Sequence, residues 1–148
     1  MPLPSLDLGL IVRYEYLWHR RKDAPNADKD HPACVIATFR NKGVADDFVV
    51  YLPISHTAPG EGEIGVELSP HARRAAGLDS APQWILISEC NIDTWPQDLR
   101  SLPGQPGRFH YGHLPPSEFR NLRDRFVERY REKKVKQVLR YDTPRPGS

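Results

Sequence analysis

The sequence predicts a mainly β fold with helices (α+β): a small curled sheet or barrel, one helical turn set between strands, and a C-terminal amphipathic helix packed outside. Three observations predict it. Short β-branched or alternating apolar runs are separated by Gly/Pro turns. Ser69-Pro70 and Gly77 bracket a brief helical stretch. Phe119, Leu122, Phe126 and Tyr130 recur at steps of three and four, the stripe of a helix with one buried face. A chain of 148 residues is the size of one domain, and such a domain buries about two thirds of the surface that its unfolded chain exposes. Residues 1–142 are read as that domain and 143–148 as a disordered tail.

From Gly9 to Trp18 the even positions Leu10, Val12, Tyr14, Tyr16 and Trp18 are all apolar while the odd ones are mixed, which is the period of a half-buried strand. Residues 19 to 31 hold no aliphatic side chain larger than alanine and seven Lys, Arg or Asp, so they read as a long exposed loop. Ala33 to Phe39 and Phe48 to Ile54 are apolar strands joined through the turn residues Asn41-Lys42-Gly43, with Pro53 expected to stop the second ladder because it has no N–H. Ile64 to Leu68 makes a short strand. The helix from His71 to Ala76 then starts with Ser69 as N-cap and Pro70 at the first helical position, and ends at Gly77 as a left-handed cap. Gln83 to Asn91 reads as one more central strand, with Ser88 and Glu89 near its end. Residues 92 to 110 are irregular, and Phe109 to Gly112 adds a short strand. Pro116 and Glu118 open the last helix, the carboxylate meeting the positive end of the dipole, and Val135, Val138 and Leu139 extend its stripe.

The two cysteines, Cys34 and Cys90, fall in apolar runs, as reduced buried thiols do, and this favours a cytoplasmic protein. The first residues lack the basic segment and apolar core of a signal peptide, and no run has the length of a membrane span, so no membrane partner is expected. The net charge of +2 is unevenly spread: Ser117 to Tyr141 holds nine Lys/Arg and four Asp/Glu, a local +5. Such a concentration suits a nucleic acid, and equally suits the solvated face of a helix.

In an antiparallel hairpin the start of one strand lies beside the end of the next. His31 and the pair Ser55-His56 are therefore brought to one rim of the sheet. Imidazoles exchange protons near neutral pH, which makes His31 and His56 acid/base candidates; the alternative is that each caps a turn. Ser55 is a donor to an anion or bonds its own backbone. Glu89 is a base or an ion-pair partner. Arg20, Arg21 and Lys22 bind phosphates or simply solvate the loop, and Trp18 and Trp95 stack bases or serve the core. His110 and His113 lack the further ligands that a zinc site needs.

The order of these motifs resembles the MazF/PemK family of toxin endoribonucleases. That family opens with Gly-Asp-Ile-Val, passes a charged loop to Arg-Pro-Ala-Leu-Val-Ile, and continues to Pro-Ile-Thr-Ser. The counterparts are Gly9-Leu10-Ile11-Val12, His31-Pro32-Ala33-Cys34-Val35-Ile36 and Pro53-Ile54-Ser55-His56. The family's late strand with its polar pair corresponds to Ile85 through Glu89, and its Gly-x-Leu-Ser-x-Glu helix start to Gly112 through Glu118. The resemblance covers roughly residues 8 to 130. It implies an SH3-like curled barrel of the MazF/PemK/CcdB type, a cytoplasmic homodimer restrained by a cognate antitoxin, and cofactor-free, metal-independent cleavage of single-stranded RNA by the 2′-hydroxyl. His31 replaces the family's arginine, and Ser55 its threonine. The alternatives are a non-catalytic member of the same fold that binds RNA or a protein, and a CcdB-like inhibitor of a topoisomerase.

Overall fold

The structure is a computed structural model that describes residues 3–21, 31–41 and 43–141. Among these, eight strands form one largely antiparallel sheet and two α-helices accompany it: β1 (Leu10–Tyr14), β2 (His31–Phe39), β3 (Phe48–Ser55), β4 (Gly65–Glu67), α1 (Pro70–Ala75), β5 (Trp84–Leu86), β6 (Glu89–Thr94), β7 (His110–His113), α2 (Pro116–Arg131) and β8 (Lys136–Leu139). The fold is thus mainly β with helices. No described helix is long and apolar enough to cross a membrane. The expected tail at 143–148 lies outside the described residues.

The sheet is organised on β3. Its whole length pairs with β2, while its other edge is shared: Phe48 to Tyr51 pair with β6, and Ile54 and Ser55 with β5. The sheet therefore divides along β3, and the path β4-β5-β3-β2-β1-β7 carries a branch through β6 to β8. Pro53 does not end the strand. It falls in the gap between the β6-paired and β5-paired segments, where its missing N–H removes no ladder bond.

Apolar side chains fill both faces. Ile11, Cys34, Leu52, Ile54 and Ile92 pack with Ala72 of α1, with its cap residue Ala76, and with Phe119, Leu122 and Phe126 of α2. The alternate residues Val12, Tyr14, Ala33, Val49 and Tyr51 pack with Tyr16, Trp18 and Leu99 on the other side. Strand residues point alternately to the two faces, so neighbours in β1, β2 and β3 serve different cores, except at the β2 irregularity between Val35 and Ala37, where Ile36 and Ala37 both meet the helix-side core.

Two expected elements differ. The apolar stretch Gln83–Asn91 is two strands, β5 and β6, broken at Ile87-Ser88, where the Ser88 hydroxyl accepts from the Ile64 N–H as the chain leaves β4 for β8. Glu89 consequently begins a strand instead of ending one. The stripe of α2 stops at Arg131: Lys133 takes φ 59°, and Val138 and Leu139 belong to β8, which runs parallel to β6. The first helix and its cap match expectation. Ser69 Oγ accepts from Ala72 N at 3.0 Å, and Gly77 is left-handed at φ 74°.

Candidate functional site

The register sets Ala33 opposite Pro53, and one pleat further out this puts His31 opposite Ser55. Tyr14 lies across from His31 on the other side. All three share the face of the aromatic core. Beyond β1 the chain turns at Glu15, where Tyr16 N donates to Tyr14 O at 2.9 Å, runs without regular structure to Trp18 and then makes a 3-10 turn, His19–Arg21. Side chains of β6 hold this segment. Asn91 accepts from Leu17 N at 2.8 Å and donates to Leu17 O at 2.7 Å, and Glu89 Oε2 accepts from the His19 N–H at 2.9 Å and from the Tyr16 hydroxyl at 3.0 Å. Burial, and then the charge of Glu89, push the Tyr16 hydroxyl far up, so it stays protonated and donates.

The result is a groove built from two adjoining cavities that share Arg20 and Glu63. One, of about 270 Å³, is bounded by Trp18, Arg20, His31 and Ser55. The other, of about 300 Å³, is bounded by His19, Arg20, Ser88, Glu89 and Lys136. Five residues singled out in the sequence thus border one groove: Trp18, Arg20, His31, Ser55 and Glu89.

Within it the roles separate. Ser55 Oγ accepts from Thr57 N at 3.0 Å, so it bonds its own backbone, and its O–H proton is still directed by choice of rotor. The Arg20 guanidinium stacks over the Trp18 ring at 4.9 Å, while His31 meets the edge of that ring at 5.5 Å between centroids. A single indole therefore braces both the cation and the imidazole of the groove. Trp18 is only 6% exposed, and Tyr16 packs edge-on against it as well. Of the two readings open for Trp18, the packing favours the core, because Arg20, His31 and Tyr16 already surround the ring. Trp95 is partly buried against the same core.

His56 does not join the groove. It follows Ser55 by one residue, so its side chain leaves on the opposite face, where Nε2 lies 3.0 and 3.2 Å from the two oxygens of Asp79. The expected pairing of His31 with His56 is therefore corrected: they occupy one rim but line different cavities. The second imidazole of the groove is His19, which the sequence left inside an undifferentiated charged loop. Lys136, missed in the same way, reaches the groove because β8 pairs with β6 beside Glu89. The Arg21 side chain and Lys22 lie outside the described residues.

Elsewhere, burial raises the thiols of Cys34 and Cys90, the latter to about 12, and both are free. Among the described residues no group of three or more His, Cys, Asp and Glu side chains is arranged to hold a metal ion. Comparison with protein-family models, with curated proteins and with solved structures finds no match to this chain.

Proposed function

We propose that this protein is an endoribonuclease that cuts single-stranded RNA by 2′-hydroxyl attack, a toxin-like enzyme of the MazF/PemK kind. The observation that carries the reading is the gathering of His31, Ser55, Arg20 and Glu89 along one groove from four separate parts of the chain, with His19 and Lys136 beside them. In the reaction a base takes the 2′-hydroxyl proton as the O2′–P bond forms and the P–O5′ bond breaks, and an acid returns a proton to the 5′-oxygen. The products are a 2′,3′-cyclic phosphate and a 5′-hydroxyl. His31 and His19 are the proton carriers, since imidazole is the side chain best matched to both tasks near neutral pH. Arg20, fixed over Trp18, and Lys136 supply positive charge to the phosphorane, and the Ser55 hydroxyl donates to one of its oxygens. Glu89 is assigned to positioning, because the oxygen Oε2 is already occupied by Tyr16 and His19.

The finer fold assignment, an SH3-like curled barrel, is supported by the division of the sheet along β3 and by the filling of both faces. The antitoxin, the homodimer and the cytoplasmic setting rest on the resemblance of the motifs alone.

Incubation of the purified chain with a long single-stranded RNA in chelator tests the proposal. Discrete fragments with cyclic phosphate ends, lost in His31→Ala and reduced in His19→Ala, are the expected result. RNA left intact at every pH from 5 to 9 refutes it. The engagement of Glu89 by Tyr16 and His19 favours a second reading, a non-catalytic member of the fold that binds RNA or a protein, CcdB-like inhibition of a topoisomerase included. RNA retained on the protein without cleavage, with retention lost in Arg20→Ala, is the result that reading requires.

A further inference from the structure

The face of the rim that carries His56 has a cavity of its own. In β1 and β2, Arg13 stands opposite Pro32, one residue out of phase with the pair Tyr14 and His31. Arg13, Pro32 and His56 consequently face away from the groove and, with Tyr111 and Leu78, line a space of about 530 Å³. Its position at the same strand ends as the His31 groove follows from the pleat, since neighbouring residues of one strand serve opposite faces.

The chemistry of the lining is mixed in a specific way. Arg13 is a permanent cation, and Tyr111, Leu78 and Pro32 offer flat and apolar surface. His56 is held by Asp79, and the carboxylate is itself fixed, Oδ1 accepting from Ala81 N at 2.9 Å and from the buried amide of Gln83 at 3.1 Å. With Nε2 turned to that carboxylate, Nδ1 is the imidazole nitrogen left for a ligand. The walls are closely packed. A Cβ on Gly77 would lie 2.4 Å from the Tyr111 carbonyl oxygen, and one on Gly112 would lie 2.9 Å from the Ala75 carbonyl oxygen, so the end of α1 sits directly on β7. A bare anion is poorly served here, because Asp79 stands beside the imidazole. A nucleotide is served better: it brings a phosphate for Arg13, a ring for Tyr111, and polar sugar and base groups for His56.

We propose that this cavity is a second RNA subsite, which takes a nucleotide flanking the one cut at His31, so that the strand crosses the rim between the two faces. The inference rests on the RNA reading given above and deepens it. Single-strand binding by small β folds combines such a cationic track with a ring on which a base lies, over about four or more nucleotides.

The test measures binding of the full chain to DNA strands of about two to about ten nucleotides, which lack the attacking hydroxyl, and cleavage of the matching RNAs. The variants are Arg13→Gln and His56→Gln, with the melting temperature of each checked against the wild type. In the wild type, affinity rises with length. In both variants the gain on lengthening falls by about fivefold or more, and Arg13→Gln lowers the dependence of log affinity on log salt by about 0.7. A length dependence identical to the wild type overturns the subsite, as does an equal loss for the shortest and longest strands, which would locate the effect at the scissile bond. Binding that obeys the expected pattern without any cleavage of RNA leaves the subsite standing and removes the nuclease reading. Absence of binding at every length removes both.

Discussion

Replacing Asp93 by asparagine tests the physics of the interior that supports the groove. Asp93 is fully buried on β6; its Oδ2 accepts from the Tyr14 hydroxyl at 2.7 Å and its Oδ1 from Thr94 N at 2.8 Å. Burial outweighs these two bonds and raises the carboxyl from 3.8 to about 7. A carboxyl whose pKa is higher in the folded protein holds its proton more tightly there. Between those two values the native state binds more protons than the unfolded one, and unfolding free energy falls as pH rises. The stabilisation is complete below about pH 4 and gone above about pH 7, and a shift of about 3 units corresponds to ~4 kcal/mol from this group alone, as an upper bound. Asparagine cannot ionise, and it can accept only one of the two bonds well, at a cost of about 1–3 kcal/mol. Asp93→Asn is therefore less stable than the wild type at pH 4.5 and approaches or overtakes it at pH 8. Urea unfolding at pH 4.5, 6 and 8, compared as differences between the two proteins, measures this. A wild-type advantage that grows from pH 4.5 to pH 8 would refute the reasoning and mean that attraction to Arg140, and not burial, governs the carboxylate.

Other outcomes are expected from the same structure. Asn91→Ala removes both bonds to Leu17 and leaves a buried N–H and C=O unpaired, which costs about 2–5 kcal/mol and lowers the urea midpoint. Because Leu17 precedes Trp18 and His19, the same variant loosens Arg20, and under the proposed RNA reading it lowers RNA retention. Gly77→Ala forces a Cβ against the Tyr111 carbonyl at a left-handed φ of 74°, and thermal melting should show a loss of about 1–3 kcal/mol. Cys34 and Cys90 are fully buried with raised thiols, so a thiol reagent at pH 8 labels neither in the folded protein and both in urea; rapid labelling of the native chain would contradict the packing.

The sequence exposed those features that depend on one strand or one helix. Ser69, Pro70 and Gly77 determine α1 through local bonds and a local φ, and the α2 stripe follows from helical period. The rim that unites His31 with Ser55 needs only the hairpin. What failed is the separation of faces: Ser55 and His56 are adjacent, and period two sends one into the groove and the other to Asp79. A count of parity from Ala33 and Pro53 would have found it. The division between β5 and β6 is marked in the sequence only by the polar pair Ser88-Glu89, which reads equally as the end of one strand; the separate partners β4 and β8 make it a break between two. His19 was equally hidden. Its backbone is placed by Glu89, seventy residues away, and no local pattern encodes such a contact.

That long-range contact belongs to a larger design in β6. Its odd residues Glu89, Asn91 and Asp93 are polar and buried, and all point at the chain from Tyr14 to His19, while its even residues Cys90 and Ile92 enter the helix-side core. A segment that has left the sheet must still satisfy its backbone groups; Glu15 N bonds the Asp98 carbonyl, and side chains of β6 take Leu17 N, Leu17 O and His19 N in place of a neighbouring strand. Arg140, just past β8, closes the arrangement from behind. Its guanidinium bonds the Tyr14 hydroxyl at 3.3 Å and the Glu15 carbonyl at 2.5 Å, and pairs with Asp98 at 3.1 Å. Apolar contacts alone would permit the segment to slide along the sheet; directed bonds at Tyr14, Leu17 and His19 fix its position. Three buried polar residues are costly individually, and each is retained with its partners satisfied. The consequence reaches the surface: the side chains of Trp18, His19 and Arg20 border the groove in register with His31 because β6 holds their backbone, so substitutions deep in β6 alter the groove without touching anything that binds in it.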